Sequence, residues 1–178
     1  MPVNSRQQTH PLYAQAVIDG LHRAGATVLI HVPDSILAPI IALAEEDDRF
    51  LVINASREEE AFGIAAGVSA GGGRTALLIQ ASGLGNSLNA LGSMVLPFRV
   101  AVPVILSPRG EIGDRNWAQV AFGSAVPAIL DLLSIQSLDL VDERQVADAV
   151  FTAADSAYRW NWVVVATLTR ALTGGANE

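Results

Sequence analysis

The sequence contains no cysteine, which excludes disulfide bonds, thiolate metal ligands and a cysteine nucleophile. Charged residues are also scarce, at 16% of 178 residues, while hydrophobic residues make up 51%. Among the charged residues, 11 basic side chains face 18 acidic ones, which gives a formal net charge of −7. This balance argues against nucleic-acid binding, because contact with a phosphate backbone requires a basic surface.

Long hydrophobic runs and metal-ligand spacings are missing as well. The longest apolar runs, such as 100–106, are far shorter than the roughly 20 residues that span a membrane. The three histidines, His10, His22 and His31, do not have the spacing of metal ligands. Residues 1–8 are polar and lack the apolar segment of a signal peptide. We therefore expect a cytoplasmic protein without membrane segments or metal ligands of its own.

The length fits one domain with a well-developed core. The mean hydropathy of +0.36 is high for a protein whose whole surface faces water, so we expect part of that surface to be buried in an oligomer. We predict an N-terminal extension over residues 1–11, a single domain over 12–170 and a flexible tail over 171–178.

Short apolar, β-branched segments alternate with helical patterns along the chain. Continuously apolar strands that alternate with helices are typical of a parallel sheet covered on both faces. The sequence therefore predicts a three-layer α/β/α fold with a mostly parallel sheet. The predicted strands are 27–32, 50–53, 75–80, 101–107, 135–141 and 162–167, and the predicted helices are 13–24, 35–47, 57–70, 87–98, 143–158 and one from 118 that breaks near Pro127.

Four segments at the carboxyl ends of predicted strands carry polar residues or glycines: 33–35, 56–59, 82–86 and 108–111. Ligands of parallel sheets bind at this end. Each segment also has a structural interpretation. Ser35 can cap the next helix, Asn86 can cap a tight strand-to-helix turn, and the charged 108–117 segment can be a solvated loop.

The helix after the second strand begins with Glu58, Glu59 and Glu60. Ser56 as N-cap with Glu59 three residues later predicts a capping box, and carboxylates in a first turn also complement the helix dipole. The residues of this helix over 63–67 mostly have small side chains, so another backbone can come close. A carboxylate held at the start of such a helix is also a plausible site of proton chemistry. Both interpretations stay open on these residues alone.

The glycine-rich segment 82–86 is not a Walker A loop, because no Gly-Lys-Ser/Thr follows it. It is not a dinucleotide fingerprint either, because no third glycine is in register. A nucleotide-binding module stays an alternative, although the chain offers no phosphate-binding lysine or ribose carboxylate in position.

Taken together, these segments resemble the pyrimidine-binding domain of thiamine-diphosphate enzymes over residues 12–170. The resemblance is strongest to the separate α subunit of sulfopyruvate decarboxylase and to the N-terminal part of phosphonopyruvate decarboxylase. It implies a carboxy-lyase that decarboxylates a 2-oxo acid with thiamine diphosphate. The motifs that carry it are Val32–Ser35, Arg57–Glu60 with Gly63–Gly67, Gln80–Leu91 and Ser107–Gly110.

The resemblance also implies roles for individual residues. One glutamate of the run hydrogen-bonds N1′ of the cofactor's aminopyrimidine, and matching the motif puts that role on Glu59. We expect the Glu59 carboxyl to be buried and uncharged for this role, because desolvation disfavours the charged form. Asp34, Ser35 and Arg109 match the substrate side, and a guanidinium suits a dianionic substrate. The implied cofactor-binding residues are Glu59, Gln80, Gly83, Leu84, Gly85 and Asn86.

The chain has no Gly-Asp-Gly…Asn-Asn motif, which holds the diphosphate through Mg²⁺ in this family. The resemblance therefore implies a β subunit that holds diphosphate and Mg²⁺, with the cofactor shared across the interface of a higher oligomer. Phosphonopyruvate decarboxylases carry an acidic-Pro-Gln-His run where this chain has Trp117–Val120, which favours a sulfopyruvate-like substrate. Phosphonopyruvate, another 2-oxo acid and a non-catalytic homologue stay as alternatives. Trp117 is a candidate for reshaping the pocket toward such another acid, and His31 receives no role.

Overall fold

The computed structural model of the chain describes residues 10–174. Its strands are β1 (Val28–His31), β2 (Leu51–Asn54), β3 (Thr75–Gln80), β4 (Val102–Ser107), β5 (Gln136–Leu140) and β6 (Val163–Leu168). All six lie in one sheet in the order β2-β1-β3-β4-β6-β5, and every neighbouring pair is parallel. The predicted parallel sheet is confirmed.

The helices within the described residues are α1 (Leu12–Arg23), α2 (Ala38–Glu45), α3 (Glu58–Ala70), α4 (Ala81–Asn86), α5 (Leu88–Ala90), α6 (Val120–Leu132), α7 (Val146–Trp160) and α8 (Arg170–Thr173). A π-helical turn, Leu91–Val95, continues α5, and 3₁₀ turns at Trp117–Gln119 and Glu143–Gln145 precede α6 and α7. Helices α1, α2 and α7 cover one face of the sheet, while α3 to α6 cover the other. The predicted three-layer architecture is confirmed.

Two hydrophobic cores lie on the two faces of the sheet, because successive side chains of a strand point to opposite sides. Leu29 packs in the core under α1, α2 and α7, whereas Ile30 packs in the core under α3 to α6. Ile30 lies beside Leu77 of β3, and Leu77 lies beside Val104 of β4. The central strands are therefore buried on both faces, while the edge strands β2 and β5 are partly exposed.

Helices α1 and α7 approach each other so closely that only glycine fits at position 20. A Cβ atom there would lie 2.6 Å from the carbonyl oxygen of Ala147 and 2.8 Å from Cβ of Val150. The hydroxyl of Tyr158 donates a hydrogen bond of 2.8 Å to the carbonyl of Thr75, which joins α7 to β3. These contacts fix the layer opposite the glutamate-bearing helix α3.

The predicted glycine-rich turn at 81–86 was wrong, since this segment is helical. A methyl group at Gly83 would overlap the carboxyl of Glu58, and one at Gly85 would overlap the ring of Phe122. The glycines thus serve close packing rather than turn geometry.

Two further local predictions were wrong. Helix α6 continues through Pro127. The proline removes only one backbone donor, and the buried Val126 and Leu130 keep the helix packed on the sheet. Asp34, and not Ser35, caps the turn before α2, since its Oδ1 accepts from the backbone N–H groups of Ile36 and Leu37 at 2.9 and 3.2 Å.

Most of the predicted extension, 1–11, and half of the predicted tail, 171–178, lie outside the described residues, so the domain limits stay a prediction. Of the tail, residues up to Thr173 form the end of α8, whose first turn is capped by the hydroxyl of Thr169. Within residues 10–174, every helix is too short or too polar to span a membrane.

We predict that Gly20→Ala lowers the free energy of unfolding by about 1–2 kcal/mol, because overpacking against Ala147 outweighs the helix-forming gain of alanine. Gly67→Ala is the matched control on α3. An added Cβ there meets nothing within 4 Å, so stability should rise by up to about 1 kcal/mol. Urea unfolding of the chain without partners measures both changes, and equal effects of the two substitutions would contradict the α1–α7 packing.

Candidate active site

The carboxyl ends of β1, β3 and β4 bring four predicted site residues together. Oδ2 of Asp34 accepts a hydrogen bond of 2.8 Å from the Gln80 side-chain amide. Nη1 of Arg109 lies 3.6 Å from the same oxygen and donates to the Ser35 hydroxyl at 3.2 Å. Since the four side chains come from the ends of three neighbouring strands, the contacts join these strand ends into one surface.

The side chains of Asp34 and Arg109 are buried, with exposed fractions of 3% and 5%. On the other side of the guanidinium, Oδ2 of Asp114 lies 3.5 Å from Nε of Arg109. Arg109 is thus flanked by two carboxylates, and its charge is balanced within the chain. The interpretation of this segment as a solvated loop was wrong at Arg109.

Asp114 is a site residue that the sequence reasoning missed. Its two oxygens accept backbone hydrogen bonds from Asn116 at 2.9 Å and Gly110 at 2.8 Å. These two N–H groups, followed by the charges of Arg109 and Arg170, lower the pKa of Asp114. The local signal for this role is an aspartate two residues before a polar turn residue, which by itself is common in loops.

Two consecutive residues of this loop have left-handed backbone conformations, with φ of +53° at Arg109 and +70° at Gly110. Such a conformation is strained for a residue with a side chain. Helix α6 packs directly against the loop. The approach is so close that a methyl group at Gly123 would overlap the carbonyl oxygen of Arg109. The loop is therefore held in place by contacts from both sides.

The start of α3 differs from the predicted capping box. The N-cap residue is Arg57, so the third helical position is Glu60, and Oε2 of Glu60 accepts from the Ser56 N–H at 2.7 Å. The prediction that Ser56 is the N-cap and Glu59 reaches back was wrong, because the helix begins one residue later. Glu58 and Glu59 are consequently not used in capping.

The structure brings Glu58, rather than Glu59, to the glycines of α4. The Glu58 carboxyl lies directly against Gly83. The Glu59 side chain is 39% exposed and lies 3.9 Å from Nε of Arg57, so the burial expected for Glu59 is absent in the single chain.

The remaining predicted cofactor-binding residues lie along α4 with different exposures. Leu84 is fully buried in the core, Gly85 is covered by the ring of Phe122, and Asn86 is exposed. Gln80 accepts a short hydrogen bond from the hydroxyl of Ser82 in addition to its bond to Asp34. The side of α4 next to Glu58 therefore offers mainly backbone and small side chains.

His31 lies at the end of β1 and is 3% exposed. Within the described residues, neither of its ring nitrogens has a hydrogen-bond partner. Burial lowers the pKa of His31, and the charge of Glu45 opposes this only in part. The lowered pKa favours the uncharged form of this buried ring.

Residues 10–174 contain no group of three or more histidine, aspartate or glutamate side chains arranged to hold a metal ion.

The chain belongs to the family described as "Thiamine pyrophosphate enzyme, N-terminal TPP binding domain", whose model matches residues 12–119. Subunit alpha of sulfopyruvate decarboxylase from Methanocaldococcus jannaschii is 38% identical over 120 residues, which cover 67% of this chain and 71% of that protein. The corresponding subunit from Methanothermobacter thermautotrophicus is also 38% identical, over 122 residues that cover 68% and 74%. The resemblance predicted from the motifs is confirmed.

More distant similarities agree with this family. Phosphonopyruvate decarboxylase from Streptomyces viridochromogenes is 34% identical over 145 residues, which cover 79% of this chain and 36% of that protein. A solved structure of 2-oxoglutarate:ferredoxin oxidoreductase from Magnetococcus marinus superposes with a TM-score of 0.61 at 12% identity, covering 90% of this chain and 29% of that one. At this identity the second match supports the fold alone.

We predict that His31 makes folding stability fall as the pH drops below about 6.5, the ordinary pKa of histidine. The unfolded chain takes up a proton there, whereas the folded chain, in which the pKa of His31 is lowered, resists it. Free energies of unfolding measured in urea between pH 8 and 5 should therefore decline less steeply for His31→Leu. An equal decline in the wild type and in His31→Leu would contradict this contribution of His31.

Proposed function

We propose that this chain is the pyrimidine-binding α subunit of a two-component thiamine-diphosphate-dependent decarboxylase that acts on a sulfopyruvate-like 2-oxo acid. The family match and the relatives named subunit alpha of sulfopyruvate decarboxylase support the proposal. The observation that carries it is the Glu58 carboxyl at the first residue of α3, placed against Gly83 of α4 at the carboxyl end of the sheet.

The residues around this contact fit an aminopyrimidine ring. Because Gly83 has no side chain, the Glu58 carboxyl lies directly against the backbone of α4, and a flat ring bound beside this contact would meet both. Glu58 would hydrogen-bond a ring nitrogen, with Gly85 and Asn86 beside the ring and Gln80 toward the substrate. When bound, thiamine diphosphate supplies the electron sink for the electron pair that remains as CO₂ departs.

Two glutamates are candidates for this hydrogen bond. Motif matching favours Glu59, whereas the contact with Gly83 favours Glu58, which we take as the first choice. A carboxyl that exchanges a proton with a ring nitrogen works best when it is shielded from water. Glu58 and Glu59 are both half-buried in the single chain, so either carboxyl would require a partner chain to complete that shielding.

We place the substrate beside Ser35, whose exposed position is next to the buried Asp34 and Arg109. The Ser35 hydroxyl, held by Arg109, is suited to bind a carboxylate of the 2-oxo acid. Because Arg109 is already flanked by Asp34 and Asp114, we propose that further positive charge for a dianionic substrate comes from the partner subunit.

The outer surface of α3 supports an assembly with a second chain. Gly63 and Gly67 are exposed, and a Cβ atom at either position would meet nothing within 4 Å. Gly92 is equally open, and Phe98 nearby is 77% exposed. We propose that a β subunit carrying the diphosphate and Mg²⁺ site covers this surface, so that the cofactor lies between the chains of a higher oligomer.

Co-expression with a chain that carries a Gly-Asp-Gly…Asn-Asn motif tests the function. We expect CO₂ release with thiamine diphosphate and Mg²⁺ only when both chains are present, and the highest kcat/KM for sulfopyruvate in a panel with phosphonopyruvate, pyruvate and 2-oxoglutarate. A preference for phosphonopyruvate would change the substrate but keep the reaction. A purified complex that decarboxylates no member of the panel would favour a non-catalytic homologue.

In the active complex, we predict that Glu58→Gln lowers kcat by about 100-fold or more, the usual contribution of a positioned acid or base. Glu59→Gln should retain kcat within a small factor, and the opposite result would return the role to Glu59. Glu60→Gln is the control for stability, because it weakens the bond to the Ser56 N–H by up to about 1 kcal/mol and should leave kcat unchanged. Circular dichroism and steady-state kinetics on the three variants provide the measurements.

A further inference from the structure

Three charged side chains, the buried Asp34 and Arg109 and the half-buried Asp114, form a cluster at the carboxyl end of the sheet, which we call the carboxylate–guanidinium cluster. Their exposed fractions are 3%, 5% and 14%. The order in space is carboxylate, guanidinium, carboxylate, with separations of 3.6 and 3.5 Å. Removing one member of such a buried group leaves the others without full compensation, so each member influences the position of the rest.

Asp114 is the member that fixes the backbone of the loop. It accepts from the N–H groups of Gly110 at 2.8 Å and Asn116 at 2.9 Å. Gly110 directly follows Arg109, and both have positive φ. Because a left-handed conformation at Arg109 is strained, it persists only while surrounding contacts hold it, and the two hydrogen bonds to Asp114 are such contacts.

The contacts continue from Asp114 to the exposed side of the site. Arg109, 3.5 Å from Asp114, donates to the Ser35 hydroxyl at 3.2 Å and lies 3.6 Å from Asp34. Asp34 in turn holds Gln80 at 2.8 Å and caps the turn that carries Ser35. Any shift of the guanidinium would therefore move the hydroxyl and the carboxylate together.

We propose that Asp114 is a positioning residue of the substrate site. It holds the Arg109 backbone and guanidinium in the one arrangement in which the Ser35 hydroxyl, with the buried Asp34 behind it, is presented to the 2-oxo acid. This inference rests on the proposed function, since it takes Ser35 as a substrate contact.

Loss of the Asp114 charge has two effects of opposite sign on the binding of an anionic substrate. The cluster would become less negative, which by itself lowers KM through weaker repulsion. An asparagine in place of Asp114 would also place an amide N–H group against a backbone N–H group or the guanidinium. This contact is repulsive, so it releases the loop from its present conformation and raises KM. Since Asp114 touches the backbone and Arg109 directly, whereas the substrate lies beyond Ser35, we expect the positioning effect to prevail.

The test is Asp114→Asn in the assembled two-subunit enzyme. We expect KM for the 2-oxo acid to rise about tenfold, as for one charge-assisted hydrogen bond, while kcat stays within about twofold. Asp142→Asn is the matched control. Asp142 accepts from the backbone N–H of Arg144 at 3.1 Å and from its guanidinium at 2.9 Å, after β5 and away from the Ser35 loop. The KM of the Asp142→Asn enzyme should equal that of the wild type.

Hydrogen exchange of the Gly110 and Asn116 amides gives a readout that does not depend on turnover. In Asp114→Asn these amides should exchange faster, while the amides of β3 keep wild-type protection. If Asp114→Asn does not assemble, Asp114→Glu, which keeps the charge but moves it by one methylene, replaces it, and the same rise in KM is expected.

An unchanged KM in Asp114→Asn would overturn the positioning role. A lowered KM would overturn it as well, because it would identify Asp114 as a source of charge alone. Equal changes in Asp114→Asn and Asp142→Asn would also overturn it. A wild-type complex without any decarboxylation would instead reject the proposed function, which separates the two failures.

Discussion

The absence of a side chain at Gly83 and Gly85 of α4 is the constraint on which the candidate active-site end of this protein depends. Gly83 allows the Glu58 carboxyl to lie against the helix, and Gly85 allows the Phe122 ring to do the same. Helices α3 and α6 therefore converge on α4 from two sides. This convergence places an acidic group at the carboxyl end of a parallel sheet, where the fold presents ligands.

Beside this packed centre, the Arg109 charge is neutralised by neighbouring carboxylates rather than exposed to water. Arg109 is buried, yet two carboxylates and the Ser35 hydroxyl surround it. A buried ion group of this kind adds little to folding stability compared with an apolar one, so its presence is better explained by the arrangement that it enforces on the loops. His31 shows the other solution, since burial favours the uncharged form of its ring.

The layers of the fold could be predicted from the sequence because strand burial leaves a direct pattern of continuous apolar residues. The site was predictable only in part. The loops around Asp34 and Arg109 were found, but the role of the glycines at 83 and 85 depends on partners from distant helices, which no local pattern contains. The choice among Glu58, Glu59 and Glu60 depends on a shift of one residue in the helix start, and sequence patterns do not resolve boundaries at that level.

The contact between α3 and α4 also constrains how this protein can change over evolutionary time. Any residue larger than glycine at position 83 would occupy the space of the Glu58 carboxyl, so a substitution there moves the carboxyl out of its present position. A descendant that acquired a bulky residue there would have to give up the acidic group or displace it. Paired variation at these two positions would thus separate lineages that retain this contact between α3 and α4 from those that keep the architecture alone.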